Sequence, residues 1–382
     1  MEQEGVSVLE KNKLNFGLFS HVEYKDFMQI GEIFENELNA IRYTDNLNSF
    51  YVYFIAEHFF TPLTVNQSIG ITLSAGFRVT NKLRLGPLGY VTSVRNPMHL
   101  AIEICMLDNL SKGRLEVGFT SGVSHAELID LGLNPKEARE KSKEITSIIL
   151  KYLKSASKNE PISFSGKYFK YENVEPVIKP YQYPHPPIWI PTTNIKTMPW
   201  AAENEFNVAT VFYSREKAKK LFDTYKEEFL KIKKKEIKDI PRLAIVREVY
   251  ISQSSSIDRE KEELRKQLNV FAKRLVYAPE KKGLLDPRDI SEAFHGVISE
   301  GVGPIDILDL LNVETAIKSG LVLFGDSETI AKEIVNEFKS TGINFFIAHL
   351  NFGNISYEKY LDELRIFAKE VIPRVNEMLK EE

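Results

Sequence analysis

The stretch from Leu107 to Gly122 reads Leu-Asp-Asn-Leu-Ser-Lys-Gly-Arg-Leu-Glu-Val-Gly-Phe-Thr-Ser-Gly, and the fold of the chain can be worked out from it. Apolar residues at helical spacing lead into it and predict a helix that begins near Pro97. Gly113 lies where that helix would end in a left-handed residue. Arg114 to Phe119 then predicts a short strand, and Thr120 to Gly122 opens a loop.

In parallel α/β proteins, the loop that follows the carboxyl end of a strand is where ligands bind. Small hydroxyl residues and a glycine in such a loop let backbone N–H groups approach an anionic ligand. An ordinary helix–turn–strand joint explains the same residues equally well. The rest of the chain must therefore decide between the two interpretations.

The chain has 382 residues, of which 43% are hydrophobic, so it can bury a sizeable core. A formal net charge of −3 and a sequence pI near 6.3 argue against nucleic acid as a partner, because there is no basic excess. A lone cysteine, Cys105, excludes an internal disulfide and fits a reducing compartment. We see neither a signal peptide nor an apolar run of about 18 residues. We therefore expect a soluble, cytoplasmic protein that does not bind membranes.

Strand-like segments alternate with helical ones along the whole chain. With the strand of the opening stretch they number eight, the others being Leu14–Phe19, Phe50–Ile55, Leu83–Tyr90, Ile188–Ile190, Phe206–Phe212, Leu243–Ile251 and Ile343–Leu350. This alternation predicts the α/β class and a (β/α)8 TIM barrel, which can reach this length as one domain over residues 1–382. A doubly wound open sheet is the alternative, but no G-x-G-x-x-G follows the first strand.

Two segments depart from the regular pattern. Gly86, Pro87 and Gly89 fall inside the third strand, where they predict that something approaches the backbone closely. Residues 252–320 break the β/α rhythm and contain glycine and proline. We expect this segment to be the largest insertion in the barrel and to include a mobile lid over its mouth.

Motifs for several common chemistries are missing from the sequence. There is no H-E-x-x-H, C-x-x-C, P-loop or G-x-S-x-G, so no metal site, nucleotide triphosphate site or serine hydrolase is predicted. The predicted strand ends carry His58, Thr120, Ser121 and the segment from Thr192 to Asn194. These neutral hydrogen-bonding groups, in a chain with 24 Phe and 16 Tyr, suit a flat heteroaromatic cofactor that supplies its own reactivity.

Several stretches, taken in order, resemble the bacterial luciferase-like, flavin-dependent monooxygenase family. They are Ala56-Glu57-His58-Phe59-Phe60, Asn96-Pro97, Leu107–Arg114, Trp200-Ala201-Ala202, Phe324-Gly325-Asp326 and the run from Phe367-Ala368 to Ile372-Pro373. The resemblance covers most of the chain except residues 1–12 and much of 252–320. It implies a (β/α)8 barrel that binds reduced FMN, or the deazaflavin F420, at the carboxyl ends of the strands.

The resemblance also implies an activity. Reduced FMN, supplied by a separate flavin reductase, would react with O2 to give a C4a-hydroperoxyflavin that oxygenates a small, apolar organic substrate. Water must be kept out so that this species does not decay to H2O2. Two alternatives stay open: an F420-dependent oxidoreductase that transfers hydride, and a flavin-binding subunit without catalysis. The family further suggests a homodimer.

Three residues match family positions around the flavin ring. His58 matches the histidine beside the flavin, with a role in positioning or proton transfer, although a strand-end histidine can also be purely structural. Leu88 and Gly89 match a segment that packs under the ring, frequently through a non-prolyl cis peptide. Phe59 stands where the family often has a second histidine, which makes the pocket more apolar.

Other residues match the family's cofactor-binding positions less completely. Ser121, beside Thr120 in the predicted binding loop, stands where the luciferase pattern has a phosphate-binding arginine, so one charged anchor is missing. Asn194 and Thr197 match positions that hydrogen-bond the phosphate, Thr197 at a helix start where the dipole favours an anion. Both can equally be ordinary capping residues. Phe212 matches an aromatic near the ring, and core packing explains it as well.

Overall fold

The structure is a computed structural model, and it describes residues 14–122, 124–233, 236, 239–254, 256–281, 310 and 312–381. The strands are β1 Asn15–Ser20, β2 Val52–Ile55, β3 Arg84–Pro87, β4 Tyr90–Val91, β5 Val117–Thr120, β6 Ile162–Ser165, β7 Lys170–Val174, β8 Ile188–Pro191, β9 Asn207–Thr210, β10 Leu243–Ile251, β11 Val322–Gly325 and β12 Phe345–His349. The helices are Ile30–Leu47, Ile69–Val79, Pro97–Ser111, His125–Asp130, Pro135–Lys158, Met198–Glu203, Arg215–Lys233, Ile257–Lys281, Val313–Ser319, Ser327–Thr341, Tyr357–Ile366 and Ile372–Met378. A π-helical turn, Phe367–Val371, joins the last two helices.

The strands form a nearly closed parallel ring. Its order is β3-β2-β1-β12-β10-β9-β8-β5, and every neighbouring pair in it is parallel. The last joint is made by a parallel bridge between Leu85 and Leu115 and by the pairing of β4 with β5. β3 and β4 are the two halves of the third predicted strand. All eight predicted strands therefore lie in the ring, and the predicted α/β barrel fold is confirmed.

Side chains alternate between the inside and the outside of the ring, as the period of two in a strand requires. In β2, Val52 and Phe54 belong to one buried cluster, whereas Tyr53 and Ile55 belong to the larger core between strands and helices. The smaller cluster fills the barrel and consists of Phe19, Val52, Phe54, Ala56, Leu88, Trp189, Ala209, Ala244, Val246, Phe345 and Ile347. The barrel is thus packed, and a ligand must bind at one of its ends.

The glycines of the third predicted strand make room for the neighbouring backbone. A Cβ atom on Gly118 of β5 would lie 2.5 Å from the carbonyl oxygen of Pro87. A Cβ atom on Gly89 would lie 2.6 Å from the carbonyl carbon of Gly118. The close approach expected from the sequence is therefore that of β5. Between the two halves of this strand, the Leu88–Gly89 peptide bond is cis, as predicted.

Among the described strands, β6, β7 and β11 lie outside the eight-stranded ring. β6 and β7 form a separate antiparallel hairpin after the long Pro135–Lys158 helix. β11 pairs with the second half of β10, while the first half of β10 pairs with β12. β11 was not predicted, because its four residues follow directly on the segment interpreted as an insertion.

Of the predicted insertion at residues 252–320, the structure describes mainly the Ile257–Lys281 helix and the Val313–Ser319 helix. Residues 282–309 and 311 lie outside the described residues, so the lid stays a prediction. Among the described helices, none combines the length and the apolar character needed to cross a membrane.

Candidate functional site

A cavity of about 480 Å³ opens at the carboxyl end of the barrel. Its lining comes from the ends of β1, β2, β5, β8 and β9, from the bend between β3 and β4, and from the Pro135–Lys158 and Ile257–Lys281 helices. The sequence-predicted site residues all line this one cavity: His58, Leu88, Gly89, Thr120, Ser121, Asn194, Thr197 and Phe212. The structure thus brings them together, and their roles toward a cofactor stay predictions.

His58 follows β2 and is paired with a carboxylate from another loop. Its Nδ1 lies 3.1 Å from Oε1 of Glu127, and the two side chains are 15% and 9% exposed. The second oxygen of Glu127 accepts a hydrogen bond from the backbone N–H of Phe59. Burial lowers the pKa of His58, but the negative charge and hydrogen bond of Glu127 raise it by more, so that its pKa is above the ordinary value. The cavity therefore contains an imidazole that readily carries a proton.

Glu57, the residue before His58, holds this loop against the bend between β3 and β4. Its buried carboxylate forms an ion pair with Arg95 and accepts a hydrogen bond from the backbone N–H of Val91 at 2.9 Å. Burial raises the pKa of Glu57, and the positive charge of Arg95 opposes that shift. These contacts fix the backbone from which His58 projects.

The loop of the opening stretch is held by hydroxyl groups from the turn after β4. Thr92 donates a hydrogen bond to the carbonyl of Thr120, and Ser93 donates one to the carbonyl of Ser121, at 3.0 and 2.9 Å. The hydroxyl of Thr120 accepts from the N–H of Gly122 at 3.4 Å. These hydrogen bonds hold the loop at the edge of the cavity, and its binding of a ligand stays a prediction.

On the opposite side, Asn194 and Thr197 lie in the turn after β8. Asn194 accepts a hydrogen bond from the backbone N–H of Lys196, so it does cap the turn. Thr197 precedes the Met198–Glu203 helix and makes no side-chain capping bond. Phe212 follows β9, which ends two residues earlier than predicted, and it has a left-handed backbone (φ 56°).

Sequence reasoning missed one polar wall of the cavity. Residues at spacings i, i+3, i+4, i+7 and i+8 of the Pro135–Lys158 helix line it: Arg139, Ser142, Lys143, Thr146 and Ser147. The sequence of this helix is charged and amphipathic, a pattern that is also typical of a helix on the protein surface. Three small hydroxyl residues and two cations that recur on one face of the helix are the signal that could have identified its inward face.

Two further residues of the site were also missed. Glu127 belongs to a short helix, His125–Asp130, that follows the predicted binding loop. His21, after β1, lines the cavity and is only 5% exposed. A lone histidine or glutamate in a loop carries no local pattern, so only the barrel geometry reveals that these residues face the same space.

The residues present fit a flavin. The cavity volume lies within the range of about 300–1,000 Å³ typical of small-molecule sites. Apolar side chains line its inner part, including Phe19, Leu88, Val91, Ile190 and Phe212. Hydroxyl and cationic groups lie on the Pro135–Lys158 helix and in the β8 turn. This division suits a flat ring with a phosphate-bearing tail.

Both the sequence and the fold of this chain are similar to those of known proteins. The family model described as Luciferase-like monooxygenase matches residues 15–344. The uncharacterized protein y4wF of Sinorhizobium fredii (strain NBRC 101917 / NGR234) is 27% identical over 364 residues, which cover 95% of this chain and 98% of that protein.

Two solved structures are similar over nearly their whole length. The oxygenating constituent of 3,6-diketocamphane monooxygenase from Pseudomonas putida, in complex with FMN, has a TM-score of 0.73 at 17% identity and covers 95% of this chain and 99% of its own. An F420-dependent secondary alcohol dehydrogenase in complex with an F420-acetone adduct has a TM-score of 0.70 at 19% identity, with 95% and 99% covered. At these identities the two structures demonstrate a shared fold.

Proposed function

Because this chain belongs to the luciferase-like monooxygenase family, we propose that it is an FMN-dependent monooxygenase that oxygenates an apolar organic substrate. When bound, reduced FMN supplies the electrons with which O2 is activated. The observation that carries the proposal is the cavity at the carboxyl end of the barrel, where apolar walls meet the His58–Glu127 pair. Reduced FMN would come from a separate flavin reductase.

His58 is the group proposed to handle protons. Glu127 contacts Nδ1, so Nε2 is the nitrogen left to donate to, or accept from, a reacting group in the cavity. The pKa of His58 is raised, so the imidazole holds a proton to a higher pH than an ordinary histidine would. Leu88, Phe19 and Phe212 exclude water from the same space.

Two cationic side chains on the Pro135–Lys158 helix support binding of the FMN phosphate in the cavity. Ser121 stands where the luciferase pattern has an arginine after β5, so that positive charge is missing at this position. Arg139 and Lys143, one turn apart on the Pro135–Lys158 helix, supply positive charge to the same cavity. We propose that they take over the phosphate contact, together with the turn that contains Asn194 and Thr197.

A second enzymatic function stays open, namely hydride transfer with F420. The similar structures include one complex with FMN and one with F420, so the shared fold accommodates either cofactor. A subunit that binds flavin without catalysis is a third candidate. The buried His58–Glu127 pair favours catalysis over mere storage, because storage needs no proton-holding group beside the ring.

An oxygen-uptake assay tests the proposal. The protein is mixed with a flavin reductase, FMN, NADH and one of a panel of apolar ketones, aldehydes and hydrocarbons, and dissolved O2, H2O2 and organic product are followed. We expect a member of the panel to be oxygenated and H2O2 to fall correspondingly. If no panel member changes the H2O2 yield while F420 supports substrate reduction, the F420 alternative replaces the proposal.

We also propose that the chain forms a homodimer through the Ile69–Val79 and Pro97–Ser111 helices. Four apolar side chains on these helices are exposed: Ile71, Ile102, Met106 and Leu110, at 72, 37, 50 and 60%. The last three recur every four residues and so form one stripe along their helix. An exposed apolar patch of this kind is typical of a protein–protein interface.

A further inference from the structure

A second cluster of chemically capable side chains lies where β1 and β12 end, and one of its members, His21, lines the cavity. His21 and Glu23 follow β1, and His349 is the last residue of β12, which pairs with β1 in parallel register. The three side chains are buried, being 5, 1 and 0% exposed. One ligand atom from each lies within 4.8 Å of the other two.

Three of the four ring nitrogens in this cluster are buried and unpaired within the part of the chain that the structure describes. Nδ1 of His21 and both ring nitrogens of His349 have no hydrogen-bond partner among the described residues. A buried polar atom that stays unpaired destabilises the folded state, so such atoms call for an explanation. A ring nitrogen with a free lone pair is the atom through which histidine binds a metal ion.

Glu23 is held in place but keeps coordination capacity. One of its oxygens accepts a hydrogen bond from Arg274 at 2.6 Å, and the other accepts from the N–H of Gly353 at 3.1 Å. A carboxylate has about four lone-pair positions, so each oxygen can still bind an ion. Hydrogen bonds of this kind orient the carboxylates that bind metals in known sites.

The surroundings favour a cation in a dry pocket. The rings of Phe19 and Phe271 lie within 5.5 Å of both imidazoles, measured between centroids. Oε1 of Glu248 lies 3.6 Å from Nδ1 of His349 and has no hydrogen-bond partner among the described residues. The buried charged groups in and around the cluster are three carboxylates, Glu23, Glu37 and Glu248, and two cations, Lys25 and Arg274. The carboxylates outnumber the cations, which favours a bound positive ion.

We propose that His21, His349 and Glu23 bind one divalent transition-metal ion of the zinc or ferrous class. Two imidazoles and one carboxylate form the donor set that such ions take, often with further positions open to small molecules. Mg²⁺ and Ca²⁺ are disfavoured because they require oxygen ligands. The ligand atoms of a tetrahedral zinc ion lie roughly 3.4 Å apart. The three ligand atoms of the cluster lie within 4.8 Å of one another, so their separations must close by up to about 1.4 Å on binding. The three ligands form no recognisable sequence motif because His21 and Glu23 lie near one end of the chain and His349 near the other.

The proposed metal site does not depend on the proposed flavin site, and it is tested on protein without flavin. Chelator-treated protein is titrated with Zn²⁺ in competition with a chromophoric chelator, and separately with Co²⁺, whose visible absorption reports its ligands. We expect one equivalent of Zn²⁺ per chain and a rise in the melting temperature on binding. His21→Ala and His349→Ala should each weaken Zn²⁺ binding at least 100-fold.

His125→Ala is the matched control, since His125 begins a short helix outside the cluster and its loss should leave Zn²⁺ affinity unchanged. If His349→Ala does not fold, as checked by circular dichroism, His21→Ala decides the question, because His21 lies at the cavity wall. Absence of stoichiometric Zn²⁺ binding would overturn the proposal. Retained binding in His21→Ala, or equal loss in His125→Ala, would overturn it too.

Discussion

His58 and Glu127 form a hydrogen-bonded pair in the wall of the cavity. They are far apart in sequence, and the parallel arrangement of β2 and β5 brings the loops that carry them to one end of the barrel. The resemblance to a flavoprotein family identified His58, whereas its partner could not be identified, since a glutamate in a six-residue helix carries no motif. The same holds for His21, which lies in the cavity only because β1 ends there.

His58→Ala should abolish most of the catalysis and leave the fold intact. The side chain lies at the cavity surface and adds little to the core, so the melting temperature should change little. Product formation in the reductase-coupled assay should fall about 10²-fold or more, with H2O2 appearing instead of product. His125→Ala, tested in the same assay, should leave product formation unchanged. A lower melting temperature with unchanged product per folded molecule would make His58 a scaffold residue.

Glu127→Gln should lower the pKa of His58. Glu127 is what raises that pKa against the effect of burial, so its neutral replacement should let burial dominate. A histidine whose pKa is raised on folding stabilises the protein fully below its unfolded pKa, and this stabilisation is lost as pH rises through the folded pKa. The stability difference between wild type and Glu127→Gln should therefore be larger near pH 6 than at about pH 9. Urea unfolding at both pH values, with NMR titration of His58, measures this, and a difference independent of pH would contradict it.

Arg139→Ala should weaken binding of FMN but not of riboflavin. The two ligands share the ring and differ in the phosphate, which Arg139 is proposed to contact from the Pro135–Lys158 helix. Loss of one charge-assisted hydrogen bond should reduce FMN affinity about tenfold or more. Lys136→Ala, on the same helix but outside the cavity lining, is the control. An equal loss of affinity for FMN and for riboflavin would contradict a contact between Arg139 and the phosphate.

At the scale of elements, the backbones of the third predicted strand and of β5 approach each other closely. Gly118 and Gly89 allow the two backbones to approach, and side chains at either position would meet backbone atoms. Backbone cannot rotate away as a side chain can, so substitutions here should be costly.

Gly118→Ala should therefore destabilise the protein by about 1–3 kcal/mol or prevent folding, because its Cβ would lie 2.5 Å from the carbonyl oxygen of Pro87. Gly31→Ala is the matched control. A Cβ on Gly31, in the Ile30–Leu47 helix, would have no atom within 4 Å, and this substitution should be neutral or stabilise by up to about 1 kcal/mol. Urea denaturation measures both changes. Equal stability of the two variants would contradict the close β3–β5 contact.

The eight strands of the ring could be predicted from the sequence, whereas the contact between the third predicted strand and β5, which closes the ring, could not. Eight apolar segments, separated by helical ones, were enough to predict the parallel strands. The role of Gly86, Pro87 and Gly89 was interpreted only as close approach to the backbone, because one sequence does not reveal which partner comes near. β11 was not predicted, since a short strand beside a longer one, outside the ring, leaves no periodic pattern of its own.

At the scale of the whole molecule, the Pro97–Ser111 helix is apolar on two sides. One side packs in the core through residues such as Leu100 and Ile104, while Ile102, Met106 and Leu110 face outward. An exposed apolar helix face is normally buried against another surface, which supports a second copy of the chain as the partner of this face.

Leu110→Glu should convert the proposed dimer to a monomer. Leu110 is 60% exposed, so the substitution should not disturb the fold of one chain, but it would bury a charge in the interface. Ile232→Glu, at a 45% exposed isoleucine on the Arg215–Lys233 helix, is the control and should leave the dimer intact. Sedimentation velocity measures both. A wild-type chain that sediments as a monomer would refute the dimer itself.

The central claim is that the cavity at the carboxyl end of the barrel is an FMN site. The most direct measurement is a titration of the purified protein with FMN and, separately, with F420, each followed by the absorbance change of the bound chromophore. We expect saturable binding of FMN at one equivalent per chain, tighter for the reduced than for the oxidised form, and weaker binding of F420. Saturable binding of F420 with no spectral response to FMN would contradict it.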